Sequence, residues 1–166
     1  MNKAVFLDRD GVINKKPAEH DYVKSWREFI LLDGVTEALK LFHKLGFLTI
    51  VITNQAGISK GLMSEDALLD IHNKLNKLLS KSGIKIDYFY YCPHQIKDKC
   101  ECRKPKPGMI EKAVKDLNIN LENSILIGDT DTDLKLGQNA GVKTVIMKTD
   151  SNLYKAVNNK FIGKHI

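Results

Sequence analysis

The chain has 166 residues, 43% of them hydrophobic, and a formal net charge of +6. This length suits one domain with a full core, whereas two independent domains would be cramped. No apolar run approaches the roughly 20 residues that span a membrane, and the N-terminus lacks the apolar segment of a secretory signal. We therefore expect a single cytoplasmic domain over residues 1–166.

Short apolar runs alternate with longer amphipathic segments along the chain. Strands are predicted at residues 3–8, 47–52, 86–91, 124–127 and 142–147, and helices at 34–45, 108–117, 131–139 and from 64 to the turn at Gly83. This alternation predicts an α/β fold, a doubly wound parallel sheet with helices on both faces. The loop 15–28 and the tail 151–166 have no clear pattern.

The first predicted strand ends in two carboxylates one residue apart, Asp8 and Asp10, followed by Gly11. In an open parallel sheet, the loops after the strands hold the ligands. A carboxylate at a strand tip beside a divalent cation is a competent nucleophile, and a neighbour two positions on can exchange protons with a leaving group. The motif alone is also compatible with a plain polar turn.

A second polar loop, residues 53–61, follows the next predicted strand. It begins with a hydroxyl and two amides, Thr53, Asn54 and Gln55, and it contains two glycines. Side-chain and backbone donors of this kind can bind a phosphoryl oxygen. Taken alone, the loop could equally be an ordinary turn-rich connection.

Charged side chains complete the pattern further along the chain. Three acids surround the predicted helix start after the fourth strand, namely Asp129, Asp131 and Asp133. One acid would be an ordinary N-cap, whereas three favour a hard cation such as Mg²⁺. Lys104 lies in a basic, proline-rich loop, which is either plain surface or a means of neutralising a transferring phosphoryl group opposite those acids.

All three cysteines fall in one segment of eleven residues together with a histidine, as Cys92, His94, Cys100 and Cys102. This clustering argues for a metal rather than a disulfide framework. A Cys₃His set is a closed structural zinc site. Because the one-residue spacings are tighter than in common zinc fingers, a reduced, metal-free loop stays open as the alternative.

The four polar clusters, in this order, closely resemble the four motifs of the haloacid dehalogenase superfamily of phosphotransferases. The matching residues are Asp8-x-Asp10, Thr53, Lys104 and Gly128-Asp129-x-x-x-Asp133. The resemblance implies that Asp8 is the nucleophile that forms an aspartyl-phosphate and that Asp10 is the general acid and base. Thr53 and Lys104 would then hold the phosphoryl group.

The same resemblance implies a catalytic Mg²⁺ ion. Its ligands would be Asp8, the backbone carbonyl of Asp10 and Asp129, with Asp133 in support. The gaps between the motifs are too short for a large inserted cap domain. The implied architecture is therefore a Rossmann-like sheet with a relatively open site and a small zinc-binding loop at 92–102.

The zinc loop and Arg103 resemble those of the subfamily that contains D-glycero-D-manno-heptose 1,7-bisphosphate phosphatases and the histidinol-phosphate phosphatase domain. Zinc is structural there, and a clamp directly before Arg103 would fix its direction. The stretches 10–14, 53–61 and 103–109 resemble the heptose enzymes, which implies removal of a 7-phosphate in lipopolysaccharide biosynthesis. The five residues between His94 and Cys100 favour the alternative, histidinol phosphate.

Further substrate contacts are expected around this site. A second substrate phosphate would suit Arg103 and Lys60, because a guanidinium binds phosphate through two parallel hydrogen bonds. Histidinol phosphate carries a cationic amine instead, which a basic site disfavours. The resemblance also assigns substrate contacts to Asn54, Gln55, Tyr22 and Val23.

A nucleic-acid-binding module or a polynucleotide-end phosphatase is the competing class, because the chain is basic and has a Cys/His loop. The lysines are scattered along helices without interleaved aromatics, which argues against it. We expect a monomer that acts on a small phosphorylated metabolite, without nucleic-acid or membrane partners. The histidines His43, His72 and His165 are expected to be ordinary surface or partly buried imidazoles.

Overall fold

The structure is a computed structural model that describes residues 1–161. In these residues five strands form one sheet, namely β1 (Lys3–Leu7), β2 (Phe47–Asn54), β3 (Tyr88–Cys92), β4 (Ile125–Gly128) and β5 (Lys143–Ile146). The helices are α1 (Val35–Lys44), α2 (Glu65–Ser80), α3 (Gly108–Leu117), α4 (Asp131–Ala140) and α5 (Leu153–Phe161). Two short 3₁₀ turns, Trp26–Glu28 and Ile96–Asp98, lie in the loops.

The five strands are parallel and lie in the order β3-β2-β1-β4-β5. From the central strand β1 the chain builds outward to β3, then crosses back to β4 on the other side of β1. The direction of winding therefore reverses beside β1, and open α/β sheets bind their ligands at such a switch point. The predicted α/β, doubly wound fold class is confirmed.

Two apolar layers cover the two faces of the sheet. Alternating side chains of β1 divide between them, because Val5 and Leu7 face one layer and Ala4 and Phe6 face the other. The first layer is completed by α1, α2 and α5, and the second by α3 and α4. Burial on both faces explains why the central strands are continuous apolar runs.

The strand β3 begins two residues later than the sequence pattern predicts. Asn76 of α2 satisfies both backbone groups of Ile86, at 2.8 and 2.9 Å, so Ile86 is not available for the ladder. The carboxylate of Asp87 accepts from the backbone N–H of Thr49 at 2.8 Å, in place of a strand carbonyl. Side chains that bond the backbone in this way compete with sheet pairing.

The histidines differ in their surroundings. His43 approaches Thr49 and Asp87 at 3.1 and 3.3 Å, at the edge of the sheet where the strands begin. His72 is buried rather than superficial, and its ring stacks on Phe89 at 4.2 Å between centroids. His165 lies outside the described residues. Within residues 1–161, no helix combines the length and the apolar composition needed to cross a membrane.

Candidate active site

The carboxyl edge of the sheet brings the predicted catalytic side chains together. Asp8 directly follows β1, and its backbone N–H donates to Ile127 O of the neighbouring β4 at 3.0 Å. Thr53 lies near the end of β2, and Asp129 directly follows β4. Parallel strands end at one edge, so three segments distant in sequence meet around a single point.

Lys104 inserts its ammonium group between two acids at this point. Its Nζ lies 2.8 Å from Asp8 Oδ1 and 2.8 Å from Asp133 Oδ1, and its side chain is 4% exposed. Burial raises the pKa of Asp8 to about 7, while Lys104 acts in the opposite direction. Burial would lower the pKa of Lys104, but the two carboxylates outweigh it and hold that pKa above its ordinary value.

Asp133 is buried by its place in the first turn of α4. Its Oδ2 accepts from the hydroxyl and the backbone N–H of Thr130, at 2.7 and 3.2 Å, and the second of these bonds is half of a capping box at the start of α4. Burial opposes ionisation, but Lys104 and Thr130 hold the pKa of Asp133 below its ordinary value. This acid is thus bonded through both oxygens, and it anchors Lys104.

The carboxylate of Asp10 is surrounded by hydrogen-bond donors. Arg9 donates from Nη2 to both of its oxygens, at 2.9 and 3.2 Å. Asn14 Nδ2 donates to Oδ1 at 2.9 Å, and Gln55 Nε2 donates to Oδ2 at 3.1 Å. Burial would raise the pKa of Asp10, but Arg9, Asn14 and Gln55 outweigh it and lower that pKa.

Asp129 is held through one oxygen only. Its Oδ2 accepts from Lys16 Nζ at 2.8 Å and from Thr149 Oγ1 at 2.7 Å. Its Oδ1 is buried and has no hydrogen-bond partner in the part of the chain that the structure describes. Oxygens of Asp8, Asp129 and Asp133 lie within 4.8 Å of one another. An orphaned carboxylate oxygen beside two further acids fits a hard cation such as Mg²⁺.

The four predicted zinc ligands also come together. The Sγ atoms of Cys92, Cys100 and Cys102 lie 3.1 to 3.5 Å apart, too far for a disulfide. His94 Nδ1 lies 3.3 and 3.6 Å from Cys102 and Cys92. Ligands about 2.3 Å from a central ion are separated by nearly these distances in a tetrahedron, so the set fits zinc.

The predicted substrate residues occupy different positions around the site. Arg103 Nη1 donates to His94 O at 3.1 Å, so the guanidinium is tied to the metal loop. Asn54 bonds both backbone groups of Lys104, at 3.0 and 3.2 Å, and so supports its loop. Val23 is 3% exposed and packs in the core, so its side chain does not line the open site.

Tyr22 and Lys60 contact each other. The ammonium of Lys60 is 5.3 Å from the centre of the Tyr22 ring, a cation–π contact. The ring itself covers the backbone of Gly57, where a Cβ atom would lie 2.9 Å from the ring carbon Cγ. A side chain at position 57 would therefore force the Tyr22 ring to move.

Three polar contacts of the site do not follow from the sequence motifs. The motifs do not single out Arg9, although its place between the two aspartates is a local signal that a buried acid has a cationic partner. Lys16 and Thr149 reach Asp129 from 113 and 20 residues away. Contacts across such separations have no signature in a single sequence.

Known proteins resemble this chain over most of its length. A family model for HAD-hydrolase-like proteins matches residues 101–165. The D-glycero-beta-D-manno-heptose-1,7-bisphosphate 7-phosphatase of Pasteurella multocida is 42% identical, over 90% of this chain and 83% of that protein. The D-glycero-alpha-D-manno-heptose-1,7-bisphosphate 7-phosphatase of Campylobacter jejuni is 41% identical, over 87% of this chain and 81% of that protein.

A solved structure also resembles this chain in its fold. The D,D-heptose 1,7-bisphosphate phosphatase from B. bronchiseptica, complexed with magnesium and phosphate, has a TM-score of 0.83 at 32% identity and covers 95% of this chain and 86% of its own. Fold and site thus define a hydrolase that cleaves phosphoric monoesters. The chain belongs to the haloacid dehalogenase family, in the branch of the heptose bisphosphate phosphatases. Phosphatases of this family use Mg²⁺.

Proposed function

We propose that this protein removes the 7-phosphate of a D-glycero-D-manno-heptose 1,7-bisphosphate through an aspartyl-phosphate at Asp8. The observation that carries the proposal is the group formed by Asp8, Lys104 and Asp133 at the switch point of the sheet. An acid held 2.8 Å from a buried ammonium stays available as a nucleophile, and the same ammonium can meet the charge of an incoming phosphoryl group.

In the first step, an oxygen of Asp8 bonds to phosphorus while the bond from phosphorus to the sugar oxygen breaks. Asp10, which is a carboxylate at rest, takes up a proton before this step and gives it to that leaving oxygen. In the second step, Asp10 takes a proton from water, whose oxygen displaces the Asp8 carboxylate and releases phosphate. Thr53 and Lys104 hold the phosphoryl oxygens throughout.

A metal site supports these steps. Asp8, Asp129 and the backbone carbonyl of Asp10 would hold Mg²⁺, with Asp133 in support, and the ion would neutralise charge on the phosphoryl oxygens. The unpartnered Oδ1 of Asp129 is the observation that favours this set. The Cys₃His group would hold a structural Zn²⁺. By fixing His94, the ion would also fix the guanidinium of Arg103, which donates to His94 O.

The preference for a bisphosphate rests on the cavity beside Lys104. This cavity has a volume of about 310 Å³, and its lining includes three further cations, Lys99, Arg103 and Lys106. Lys106 is paired with Glu101 at 2.7 Å. Arg103 and Lys99 would therefore meet a second phosphate, and a contact from the exposed Lys60 stays a prediction. Substrate contacts of Asn54, Gln55, Tyr22 and Val23 stay predictions.

Parallel steady-state kinetics test the substrate. We expect kcat/KM for either anomer of the heptose bisphosphate to exceed that for histidinol phosphate at least ~10-fold, which corresponds to about 1.4 kcal/mol. Arg103→Ala should lower the ratio of the two kcat/KM values. Arg27 is an exposed arginine in a 3₁₀ turn, so Arg27→Ala should leave that ratio unchanged. Asp8→Asn should abolish Mg²⁺-dependent phosphate release.

An equal or reversed preference would assign the enzyme to histidinol phosphate. We further propose a monomeric, cytoplasmic enzyme of one domain that needs no nucleic-acid or membrane partner. Release of phosphate from polynucleotide ends at a comparable rate would contradict that view.

A further inference from the structure

Gln55 lies directly after β2 and connects two groups of the catalytic centre. It is fully buried, and its backbone N–H donates to Cys92 O at 2.7 Å, which extends the pairing of β2 with β3. The side chain is thereby fixed beneath the site. Its amide nitrogen Nε2 lies 3.1 Å from Asp10 Oδ2 and 2.9 Å from Thr53 Oγ1.

The direction of these two hydrogen bonds follows from the acceptors. Asp10 is paired with the guanidinium of Arg9 and is a carboxylate, which only accepts. The amide nitrogen must therefore face Asp10, because the flipped amide would place its carbonyl oxygen against a negative charge. The second N–H of the same nitrogen then donates to Thr53 Oγ1.

A consequence follows for the hydroxyl hydrogen of Thr53. The hydroxyl accepts from Gln55, so its own hydrogen points elsewhere, and within residues 1–161 it has no acceptor. Thr53 is 1% exposed and lies at the strand end that faces the phosphoryl position. We propose that Gln55 is a positioning residue that makes Thr53 a hydrogen-bond donor to the transferring phosphoryl group and aligns Asp10 beside it.

The amide carbonyl of Gln55 supports a functional rather than a packing role. Its Oε1 is buried without a hydrogen-bond partner among the described residues. A buried, unpaired oxygen lowers stability. An apolar side chain of the same length would fill the space without that cost, so packing alone does not account for an amide here.

The inference rests on the proposed phosphatase activity, and isosteric variants test it. Gln55→Met keeps the length but cannot donate. Gln55→Glu places a carboxylate against Asp10 and accepts the hydrogen of Thr53. We expect kcat to fall about 10-fold for Gln55→Met and about 100-fold or more for Gln55→Glu, with KM within about 3-fold of wild type. The same changes at Gln138, which is exposed on α4, should leave kcat unchanged.

A double-mutant cycle distinguishes action through Thr53 from loss of packing. Thr53→Val removes the hydroxyl but keeps the shape, so Gln55→Met should lower kcat much less in that background than in wild type. Circular dichroism at the assay temperature establishes that each variant is folded, and Gln55→Asn replaces any variant that is not. Multiplicative effects of the two substitutions, or normal turnover by Gln55→Met, would overturn the inference.

The two possible failures are distinguishable. If wild type does not hydrolyse the bisphosphate at all, the proposed function is wrong. If wild type turns over and both Gln55 variants match it, only the positioning role is wrong.

Discussion

At the scale of single residues, Arg9 is the largest completely buried side chain in the part of the chain that the structure describes. Its charge is matched by the carboxylate of Asp10, which is 19% exposed. A buried charge that loses its partner is strongly destabilising. Substituting Asp10 therefore alters stability as well as proton transfer, and Asp8 is the cleaner position for an inactive control.

His72 is a second buried ionisable residue, and it predicts a dependence of stability on pH. Both ring nitrogens are buried without a hydrogen-bond partner among residues 1–161. Burial, followed by the charge of Arg9, lowers the pKa of His72 to about 3. Between about pH 6.5 and pH 3 the unfolded chain binds a proton that the folded chain excludes, so this residue destabilises the fold increasingly as pH falls.

The substitution His72→Leu isolates this contribution. The free energy of unfolding of the variant minus that of wild type should increase by about 2 kcal/mol as pH is lowered from 7.5 to 5. Each pH unit below 6.5 destabilises wild type by about 1.4 kcal/mol, and the variant lacks this loss. Urea unfolding at the two pH values measures the difference. His20→Asn removes an imidazole that is 87% exposed and should show no such change. A pH-independent difference for His72→Leu would contradict the prediction.

At the scale of elements, the loop 92–102 connects the end of β3 to the segment that carries Arg103 and Lys104. The Cys₃His group of this loop and the hydrogen bond from Arg103 to His94 O hold that segment against the sheet. Binding of a structural metal is coupled to folding. We therefore expect that loss of the metal from this loop changes the positions of Arg103 and Lys104.

Cys100→Ser tests that link. The purified wild type should contain about one zinc per chain, and the variant should contain less and melt at least ~10 °C lower, because one of four ligands is lost. Elemental analysis and thermal unfolding measure both quantities. Ile96→Ser changes an 80% exposed side chain of the same loop and should affect neither. Metal-free wild type of equal stability and activity would exclude a structural zinc.

Most of the helices and strands could be predicted from the sequence, but one helix and one strand boundary could not. Hydrophobic periodicity located the strands and the helices α1 to α4, because burial on one or both faces leaves a local pattern. The helix α5 lies in the tail 151–166, for which no element is predicted, although its buried residues Leu153 and Val157 have the four-residue spacing of a helix face. The local pattern is therefore present, but it consists of a single buried pair. The late start of β3 depends on Asn76 and Asp87, whose side-chain bonds to the backbone are invisible in the sequence.

For the site, the four motifs predicted which residues meet, because strand ends converge in any parallel sheet. The motifs could not predict orientation. Val23 is buried in the core although its neighbour Tyr22 is only half-buried, and Gln55 lies beneath the site rather than at its surface. Side-chain direction within a loop depends on contacts with distant segments.

At the scale of the whole molecule, one sheet is shared by both apolar layers. The loop 15–28 is joined to this body by the ion pair of Lys16 with Asp129 and by the packing of Trp26 on Phe29, at 5.0 Å between ring centroids. Because every element packs on one sheet, we propose that the chain unfolds as a single cooperative unit.

Two optical probes test this cooperativity. Trp26 is the only tryptophan of the chain, so its fluorescence follows the loop, whereas far-UV circular dichroism follows the helices. The midpoints of urea unfolding should coincide within about 0.2 M. An earlier transition in fluorescence alone would mean that the loop unfolds separately from the sheet.

The contact between Tyr22 and Gly57 has a consequence for the divergence of related sequences. Because a Cβ at position 57 would lie 2.9 Å from the Tyr22 ring carbon Cγ, a side chain there would displace the ring, so we expect the two positions to change together. A lineage that keeps an aromatic residue at 22 is therefore expected to keep glycine at 57. An alignment of close relatives should therefore contain glycine at 57 wherever an aromatic residue occupies 22, and should permit larger residues only where that ring is absent.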